Sequence, residues 1–250
     1  MIAYIKIFII ILFFNNSNLY SRDIAQTYND ELRTLSIFQP KTYYPNNRLE
    51  LSTHPILFLI IPNLNIKKYH GKFYNIYFAS RYSFLYPSNL LRLIQKDGIG
   101  GILSNDPNIN IINNMYVLKN EGLLSKIFTK SSLTGKLGFS ICYSCNLDDR
   151  NIIDYPIIYP RMLLYKHGFS ANSGLDWDYS FSENIQLKFD IDLIIVPDNQ
   201  IFFEHKSIVN YQFNKKHTLN LGYKVTHGNY QFGRRWDLFP LIDLSYQWNK

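Results

Sequence analysis

The sequence is poor in the features that mark metalloproteins, helical membrane proteins and multidomain chains. Its six histidines and two cysteines show no metal-ligand spacing, so we predict no metal site and no cofactor. No stretch rich in Gly, Ser or Pro divides the chain, and the roughly 230 residues beyond its N-terminal segment suit one barrel or sandwich. Past that segment there is no second long uncharged apolar run, which excludes crossing a membrane as helices.

Two short motifs lack the context that their chemistry needs. Cys142-Tyr-Ser-Cys145 has the spacing of a redox pair, but it follows a strand pattern and runs into a turn, whereas redox pairs begin a helix. Incidental thiols and a disulfide allowed by the turn both remain open. Gly98-Ile-Gly-Gly101 lacks the preceding strand, the following helix and the third glycine of a dinucleotide fingerprint, so we interpret it as a flexible turn.

The N-terminus has the pattern of a secretory signal. Lys6 is followed by the apolar run Ile7–Phe14 and then by polar residues from Asn15. This run is long enough for a signal peptide and too short to span a bilayer. We therefore predict a signal peptide over residues 1–21, with cleavage near Ser21, and an exported protein. The formal net charge of +7 then indicates an anionic surface as partner rather than nucleic acid, to which an exported chain has no obvious access.

What the sequence has in abundance is strand alternation, most clearly in its last third. Over 174–181, 185–193 and 242–248, apolar residues occupy every second position, and polar or charged residues occupy the others. A period of two gives each strand one apolar and one polar face. A soluble barrel or sandwich turns its apolar faces inward, whereas an outer-membrane barrel turns them toward lipid.

Strand length and aromatic content favour the membrane alternative. The predicted strand at 72–86 exceeds the usual five or six residues of soluble proteins and meets the roughly 9 to 11 that cross a bilayer at a tilt. The 20 Tyr and 18 Phe suit the aromatic belts found at both membrane interfaces.

These patterns predict an all-β fold, a closed antiparallel up-and-down transmembrane β-barrel of about 10 strands, within a range of about 8 to 12. The barrel covers residues 48–250 after an N-terminal arm at 22–47. A short helix is expected at Leu90–Gln95, a loop at 62–71, and a bulge in 201–213, where the two faces are mixed. The strands are predicted at residues 48–61, 72–86, 115–128, 135–144, 157–166, 174–181, 185–193, 201–213, 218–225 and 242–248. This topology puts 87–114 on the periplasmic side, together with the turns at 182–184 and 214–216.

The C-terminal segment Leu241–Trp248 resembles the final strand of bacterial outer-membrane β-barrel proteins. In that family alternating apolar residues end on a terminal aromatic residue, which the barrel-assembly machinery reads. Here Asn249 and Lys250 follow the aromatic Trp248, a small departure from the pattern. The resemblance implies location in the cell outer membrane, contact with its lipid, and the barrel-assembly machinery as a partner through the strand ending at Trp248.

On this fold the polar faces line the lumen and carry a set of charged residues. Because unpaired charges away from water are costly, we expect them to pair across strands or to contact lumen water. A barrel of about ten strands lies below the 16 to 18 that leave an aqueous channel, so the lumen should be narrow and the role structural, or the binding of a small solute or a surface. The predicted lumen charges are Arg81, Asp176, Asp178, Lys188, Asp190, Asp192, Glu204, Lys206, Lys224 and Asp243.

A second set of cations falls on the predicted outward loops or at their strand ends. Outer-leaflet glycolipid presents phosphates at that height, and Arg and Lys bind phosphate. We therefore predict anionic glycolipid as a partner of Lys67, Lys68, Lys126, Lys130, Lys166, Arg234 and Arg235. Lys215 and Lys216 on the opposite rim leave a general excess of lysine as the alternative explanation.

An enzymatic alternative rests on Thr226-His-Gly-Asn229. The segment has a faint likeness to the lipid A deacylases, outer-membrane barrels whose motif places His, any residue, Ser and Asn on a late strand. Only His227 can be carried over, because Asn229 occupies the position of the nucleophilic Ser. We therefore expect no enzymatic activity, and keep a lipid hydrolase using His227 as the alternative function.

The alternative yields the first testable prediction. Purified protein in detergent should release no acyl chains from lipid A or phospholipid above background, because no activated hydroxyl accompanies His227. The assay compares the parent with His227→Ala. Robust turnover in the parent that this substitution abolishes would establish the hydrolase instead.

Overall fold

Twelve strands and two helices with defined bounds make up most of the described part of the chain in this computed structural model. The structure describes residues 24–25, 32–36, 41–54, 58, 61–96, 112–149, 152–214 and 216–249. The strands are β1 (Leu32–Ser36), β2 (Lys41–Asn46), β3 (Leu49–Thr53), β4 (Asn63–Phe73), β5 (Ile76–Leu85), β6 (Tyr116–Ile127), β7 (Ser131–Tyr143), β8 (Phe169–Ser180), β9 (Ile185–Val196), β10 (Gln200–Gln212), β11 (His217–Tyr230) and β12 (Gly233–Asn249). The helices are α1 (Ser88–Lys96) and α2 (Tyr159–His167). Neither helix is long or apolar enough to cross a membrane.

All twelve strands belong to one antiparallel sheet of up-and-down connectivity. From β2 to β12 each strand pairs with the next in sequence, and β1 pairs with β12. The edge strands β1 and β2 are joined by residues 37–40, a connection that spans at most about 18 Å. A flat sheet of twelve strands would separate its edges by about 53 Å. The sheet therefore curls until its edges adjoin, with Cα atoms of β1 and β2 within 8 Å of each other. No backbone ladder joins β1 to β2 in the described residues.

The two ends of the curled sheet differ in their connections. One end, called the loop end, carries residues 54–62, 86–115 and 144–168 as well as two short turns. The opposite end, called the turn end, carries only connections of two to four residues from β2 onward. Residues 87–114 thus lie at the opposite end from 182–184 and 214–216, which corrects the predicted topology. The two sets of connections lie at opposite ends because 157–166 does not form a strand, which leaves an odd number of strands between them instead of an even number.

That segment is helix α2, and its start and stop signals explain why. Pro160 lies in the first turn, where a missing backbone N–H costs no hydrogen bond. Gly168 ends the helix with φ 77°, and its N–H donates to the Leu164 carbonyl at 2.8 Å. Lys166 and His167 occupy the last turn, where cations are favoured. The short apolar run from Ile157 suits a helix as well as a strand.

A turn at Tyr74 and Asn75 divides the strand predicted at 72–86. Both residues have positive φ, 43° and 64°, as a two-residue type I′ hairpin turn requires. The preceding strand β4 occupies most of the loop predicted at 62–71. The alternation of apolar and polar residues continues in phase through the turn, and the turn contains no glycine. The sequence therefore predicts one long strand in place of two.

The remaining expectations for the fold have mixed outcomes. The helix predicted at Leu90–Gln95 is confirmed as α1, although Ser88 Oγ accepts from the Met115 N–H at 2.7 Å rather than from a first-turn amide. The predicted arm at 22–47 contains strands β1 and β2. The seven other strands predicted after residue 114 correspond to β6 to β12, and the described total of twelve is the upper limit of the predicted range. The predicted signal peptide at 1–21 and Gly98–Gly101 lie outside the described residues.

Side chains along β6 to β12 alternate between exposed apolar and buried polar. Leu137, Leu238 and Ile242 are each about two-thirds or more exposed, at 71%, 67% and 68%. Thr226 and Asp243, on the other face, are at most 3% exposed. This is the reverse of the arrangement in a water-soluble protein. The buried side of the sheet is called the inner face below, and the exposed side the outer face.

The mixed faces of β10 follow from packing, not from a bulge. β10 pairs with β9 and β11 in continuous register, so the expected bulge is absent from this described strand. Phe202 lies on the inner face and is fully buried. Its ring is 5.8 Å from that of Tyr159 in α2 and 5.5 Å from that of Tyr230.

An apolar core fills the loop end of the inner face. It joins side chains of α1, of α2 and of the loops at 112–115 and 147–158 to inner-face residues at the ends of the strands. We call α1, α2 and these loop residues the cap. Its most deeply buried members include Leu91, Met115, Ile158, Met162, Leu163 and Tyr165, which pack with Val117, Cys142, Val196, Phe202 and Tyr230 of the strands.

Candidate functional site

Below the cap, the inner face carries ion pairs that cross from strand to strand. Glu121 of β6 lies at their centre on one side. Its carboxylate contacts Arg81 of β5 and Lys119 of β6, each at 2.7 Å. The amide of Asn172, two strands away on β8, donates to Glu121 Oε1 at 2.8 Å. A carboxylate that accepts from three side chains is fully compensated for its burial.

Lys136 of β7 forms the centre of a second group. Its ammonium lies 2.7, 2.8 and 2.9 Å from carboxylate oxygens of Asp176, Asp190 and Asp192. Lys206 of β10 contacts the other oxygen of Asp190 at 2.8 Å. Two cations thus hold three carboxylates on β8 and β9 in one cluster.

The third group connects the strands to the cap. Glu204 of β10 contacts Lys224 of β11 at 2.7 Å. Arg161 of α2 binds the same carboxylate with both terminal nitrogens, at 2.9 and 3.1 Å. This forked geometry is the strong form of a carboxylate contact. Burial alone would lower the pKa of Arg161, but the charge and hydrogen bonds of Glu204 outweigh it and raise that pKa, so the guanidinium stays charged.

Two inner-face glycines make the longer contacts possible. Gly138 lies in register with Glu121, and a Cβ there would come within 2.5 Å of Glu121 Cγ. Gly174 lies in register with Lys136, and a Cβ there would come within 2.6 Å of Lys136 Cε and would also meet Asp192 Oδ1. The side chains of Glu121 and Lys136 therefore pass over a glycine to reach partners two strands away.

All ten predicted lumen charges lie on the inner face. Seven belong to the three groups described above. Asp178 faces Lys188 in register across β8 and β9, and Asp243 accepts from Asn220 Nδ2 at 3.4 Å. The prediction omitted Lys136, although it lies on the polar face of a predicted strand, and Glu121, which lies where Lys119, Asn120 and Gly122 interrupt the alternation. It omitted Arg161 because its helix was interpreted as a strand.

The cations predicted to form one outer rim are divided among several places. Lys67 is 3% exposed on the inner face and pairs with Glu50 at 2.6 Å. Lys126 and Lys130 are exposed at the turn end, and Lys68 is exposed on β4. These positions correct the predicted common rim, because the intervening strand β4 and the helix α2 change which side each residue reaches.

Three of the predicted rim cations do lie at the loop end. Lys166 pairs with Asp149 at 2.6 Å. Arg235 contacts Asp154 at 3.2 Å and Asp237 at 3.1 Å, so it ties the cap to the start of β12. Arg234 is exposed. Contact with glycolipid stays a prediction for these residues.

His227 lies on the outer face near the loop end. Its ring stacks on Trp236 with centroids 4.2 Å apart, and its Nε2 accepts from Arg234 Nε at 3.1 Å. Asn229, at the position of the missing nucleophile, is exposed on the same face. No serine, threonine or cysteine hydrogen-bonds to His227 in the described part of the chain. The described part of the chain therefore supplies no hydroxyl or thiol partner for His227, which the likeness to lipid A deacylases would require for catalysis.

The two cysteines form a disulfide at the edge of the cap. Cys142 and Cys145 have Cα atoms 5.7 Å apart, across a turn in which Ser144 has a φ of 57°. Cys142 is buried in the cap core. Of the two alternatives left by the sequence, the structure has the disulfide. No group of three or more His, Cys, Asp or Glu arranged to hold a metal ion occurs in the residues that the structure describes.

The glycines of the inner face yield a prediction about stability. Gly174→Ala should destabilise the folded protein by about 1 to 3 kcal/mol, because the added methyl collides with Asp192, with Lys136 and with the Ile191 carbonyl at 2.8 Å. Gly135→Ala is the matched control, since no atom lies within 4 Å of a Cβ there. Urea unfolding of both variants in detergent measures the difference. Equal unfolding midpoints would show that the ion-pair cluster accommodates a side chain at Gly174.

Comparison with known proteins gives only weak structural likenesses. No family model matches the chain, and no curated protein matches its sequence. Among solved structures, OmpT, an outer membrane protein of Vibrio cholerae, is 7% identical with a TM-score of 0.43, over 84% of this chain and 63% of that one. The outer membrane channel DcaP of Acinetobacter baumannii is 10% identical with a TM-score of 0.39, over 84% of this chain and 61% of that one. The P. putida toluene transporter TodX is 10% identical with a TM-score of 0.35, over 88% and 77%. The chain thus spans less than two thirds of the first two, and none of these likenesses assigns it to a family or a function.

Proposed function

We propose that the chain is an integral β-barrel of the bacterial outer membrane whose lumen is closed, with a structural or surface-binding role rather than bulk diffusion. The observation that carries this proposal is the inverted burial of the sheet, with charged side chains buried and large apolar side chains exposed on strand after strand. Apolar patches beyond a few hundred Å² are rare on soluble monomers. Lipid covers such a surface at no cost, and in the bilayer we expect the adjoining edges β1 and β2 to pair, because an unpaired strand edge is costly there.

The strands and their aromatic residues fit a bilayer. Strands β5 to β12 have 10 to 17 residues, and roughly 9 to 11 suffice to cross at a tilt. Aromatic residues mark the outer face near both ends, as in interfacial girdles. Near the turn end they include Trp177, Phe189, Tyr211 and Tyr246, and near the loop end Phe84, Tyr116, Phe203 and Trp236.

The unequal ends support one orientation. Outer-membrane barrels place short turns in the periplasm and long loops outside. The turn end, where β12 also finishes, is therefore assigned to the periplasm, and the cap to the cell surface. In this orientation β12 offers its terminal segment to the barrel-assembly machinery. Arg234 and Lys166 lie on the side of the outer leaflet, where glycolipid phosphates would be in reach.

Closure of the lumen is inferred from its size and its contents. A ring of twelve strands about 4.8 Å apart, tilted by about 40°, has a backbone radius of about 12 Å. Side chains that point inward fill the outer part of such a ring but do not reach its centre. The cap occupies the loop end of this space, and Arg161 extends from it to Glu204. A solute therefore meets an apolar core at the cell-surface end, followed by the ion pairs.

The membrane assignment predicts sensitivity of the outer face to charge. Leu175→Arg, at the centre of β8 on the outer face, should impair insertion by about 2 to 4 kcal/mol if the site lies near the midplane. Glu183→Arg in the exposed 181–184 turn is the control and should insert as the parent does. Insertion is read from the outer-membrane fraction and from heat-modifiable migration. A parent protein that stays soluble without detergent contradicts the assignment.

The closed lumen predicts that Arg161 holds α2 in place. Arg161→Met removes the fork to Glu204 and should weaken docking of the cap by about 1.5 to 3 kcal/mol, which corresponds to roughly 10- to 150-fold faster chymotrypsin cleavage between residues 152 and 168. Lys166→Met on the same helix removes only a contact to the exposed Asp149 and should change cleavage little.

In planar bilayers the parent should show no lasting open channel. A steady conductance in the parent would contradict closure.

A further inference from the structure

A second segment from outside the sheet lies in the space that the inner face encloses, and it comes from the N-terminal part of the chain. Residues Ile24 and Ala25 precede β1 in the chain. They lie against the inner face of β4, β5 and β6, where Ala25 is fully buried. Ala25 is therefore enclosed by side chains of these strands.

The wall binds the backbone of this segment from two sides. The Ala25 N–H donates to Ser125 Oγ at 2.7 Å. The Lys67 ammonium donates to the Ile24 carbonyl at 3.3 Å and is itself paired with Glu50. The backbone N–H of Ala25 thus meets an acceptor of the wall, and the backbone carbonyl of Ile24 meets a donor, as in recognition of an extended peptide.

Both wall groups are held in position by neighbours on the inner face. Ser125 is fully buried, and its hydroxyl lies 2.7 Å from Thr134 Oγ1 on β7. Because Ser125 Oγ accepts from Ala25, its own proton remains available for Thr134. Glu50 fixes Lys67 at 2.6 Å. The two contacts to the segment therefore use preorganised groups and cost little ordering.

The side chain of Ala25 lies in an apolar notch on an inner face that is mostly polar. Leu123 and Ala79 point inward, are 1% and 5% exposed, and form one buried cluster with Ala25, with Tyr77 packed against it. The inner face carries charged and hydroxyl side chains on either side of Leu123 and Ala79, whereas these two apolar side chains cannot form ionic contacts. Their packing against Ala25 accounts for their presence.

We infer that Ser125, Lys67, Leu123 and Ala79 form a binding site for Ile24 and Ala25 of the same chain, which dock against the inner face in addition to the cap. The inference rests on the proposed barrel, because it names a segment that lies in the inner space beside the ion pairs.

Disulfide trapping tests the site directly. Ala25→Cys combined with Ser125→Cys should cross-link under mild oxidation in the folded, heat-modifiable protein. Ala25→Cys with Thr226→Cys is the matched control, because Thr226 is equally buried on the inner face but lies five strands away, about 24 Å along the sheet. We expect about tenfold or more cross-linked chain for the first pair, since docking raises the effective concentration of the two thiols. Linked peptides are identified by mass spectrometry without reduction.

A second pair protects the test against misfolding of the first. Ala25→Cys with Ala79→Cys replaces two small members of the apolar notch and should cross-link equally well. Folded, heat-modifiable protein in which neither pair cross-links above the Thr226 control overturns the inference and leaves the membrane barrel standing. Cross-linking in a protein that folds without detergent would uphold the inference and overturn the membrane assignment.

Discussion

Neutralisation of buried charge is the constraint on which the arrangement of this sheet depends. An ion removed from water costs several kcal/mol unless partners compensate it, so each inner carboxylate needs cations at fixed positions on neighbouring strands. Lys136 meets three carboxylates only in one register, and only because Gly174 leaves its path open. A slip by one residue would turn these charges to the outer face and the apolar side chains inward. Ion pairs of this kind therefore favour one register of the strands.

The cap depends on the same network. Its core is apolar and non-directional, so packing alone would not fix how deep α2 enters the mouth of the sheet. The fork from Arg161 to Glu204 supplies direction, and Lys224 of the neighbouring strand contacts the same carboxylate. Arg235 clamps the other edge of the cap through Asp154. The loop end is therefore held by a few charged contacts around a deformable apolar centre.

Sequence reasoning succeeded where one physical signal dominated and failed where two were in competition. Alternation with a period of two located β6 to β12 and, with them, the side of the sheet on which each charge lies. It could not supply the partners, because Lys136 reaches Asp192 across an intervening strand, and that contact depends on register and on a glycine. Pro160 and Gly168 were sufficient signals for α2 but were outweighed by an apolar run that suits either structure. Tyr74 adopts positive φ with no glycine to mark the turn, so β4 was not recognised.

Positions that break the alternation contain the remaining information. Phe202 and Leu123 are large apolar residues on a charged inner face, and in the sequence they only blur the strand pattern. In the structure each contacts a segment that is not part of the wall, Phe202 the cap and Leu123 the N-terminal Ala25. A ring of twelve strands is wider than the roughly eight whose interior side chains alone can fill, so it leaves room for segments from outside the sheet. Such segments need apolar contact surface where they pack. Phe202 and Leu123, two apolar residues at inward positions of a polar face, therefore mark where segments from outside the sheet pack against it.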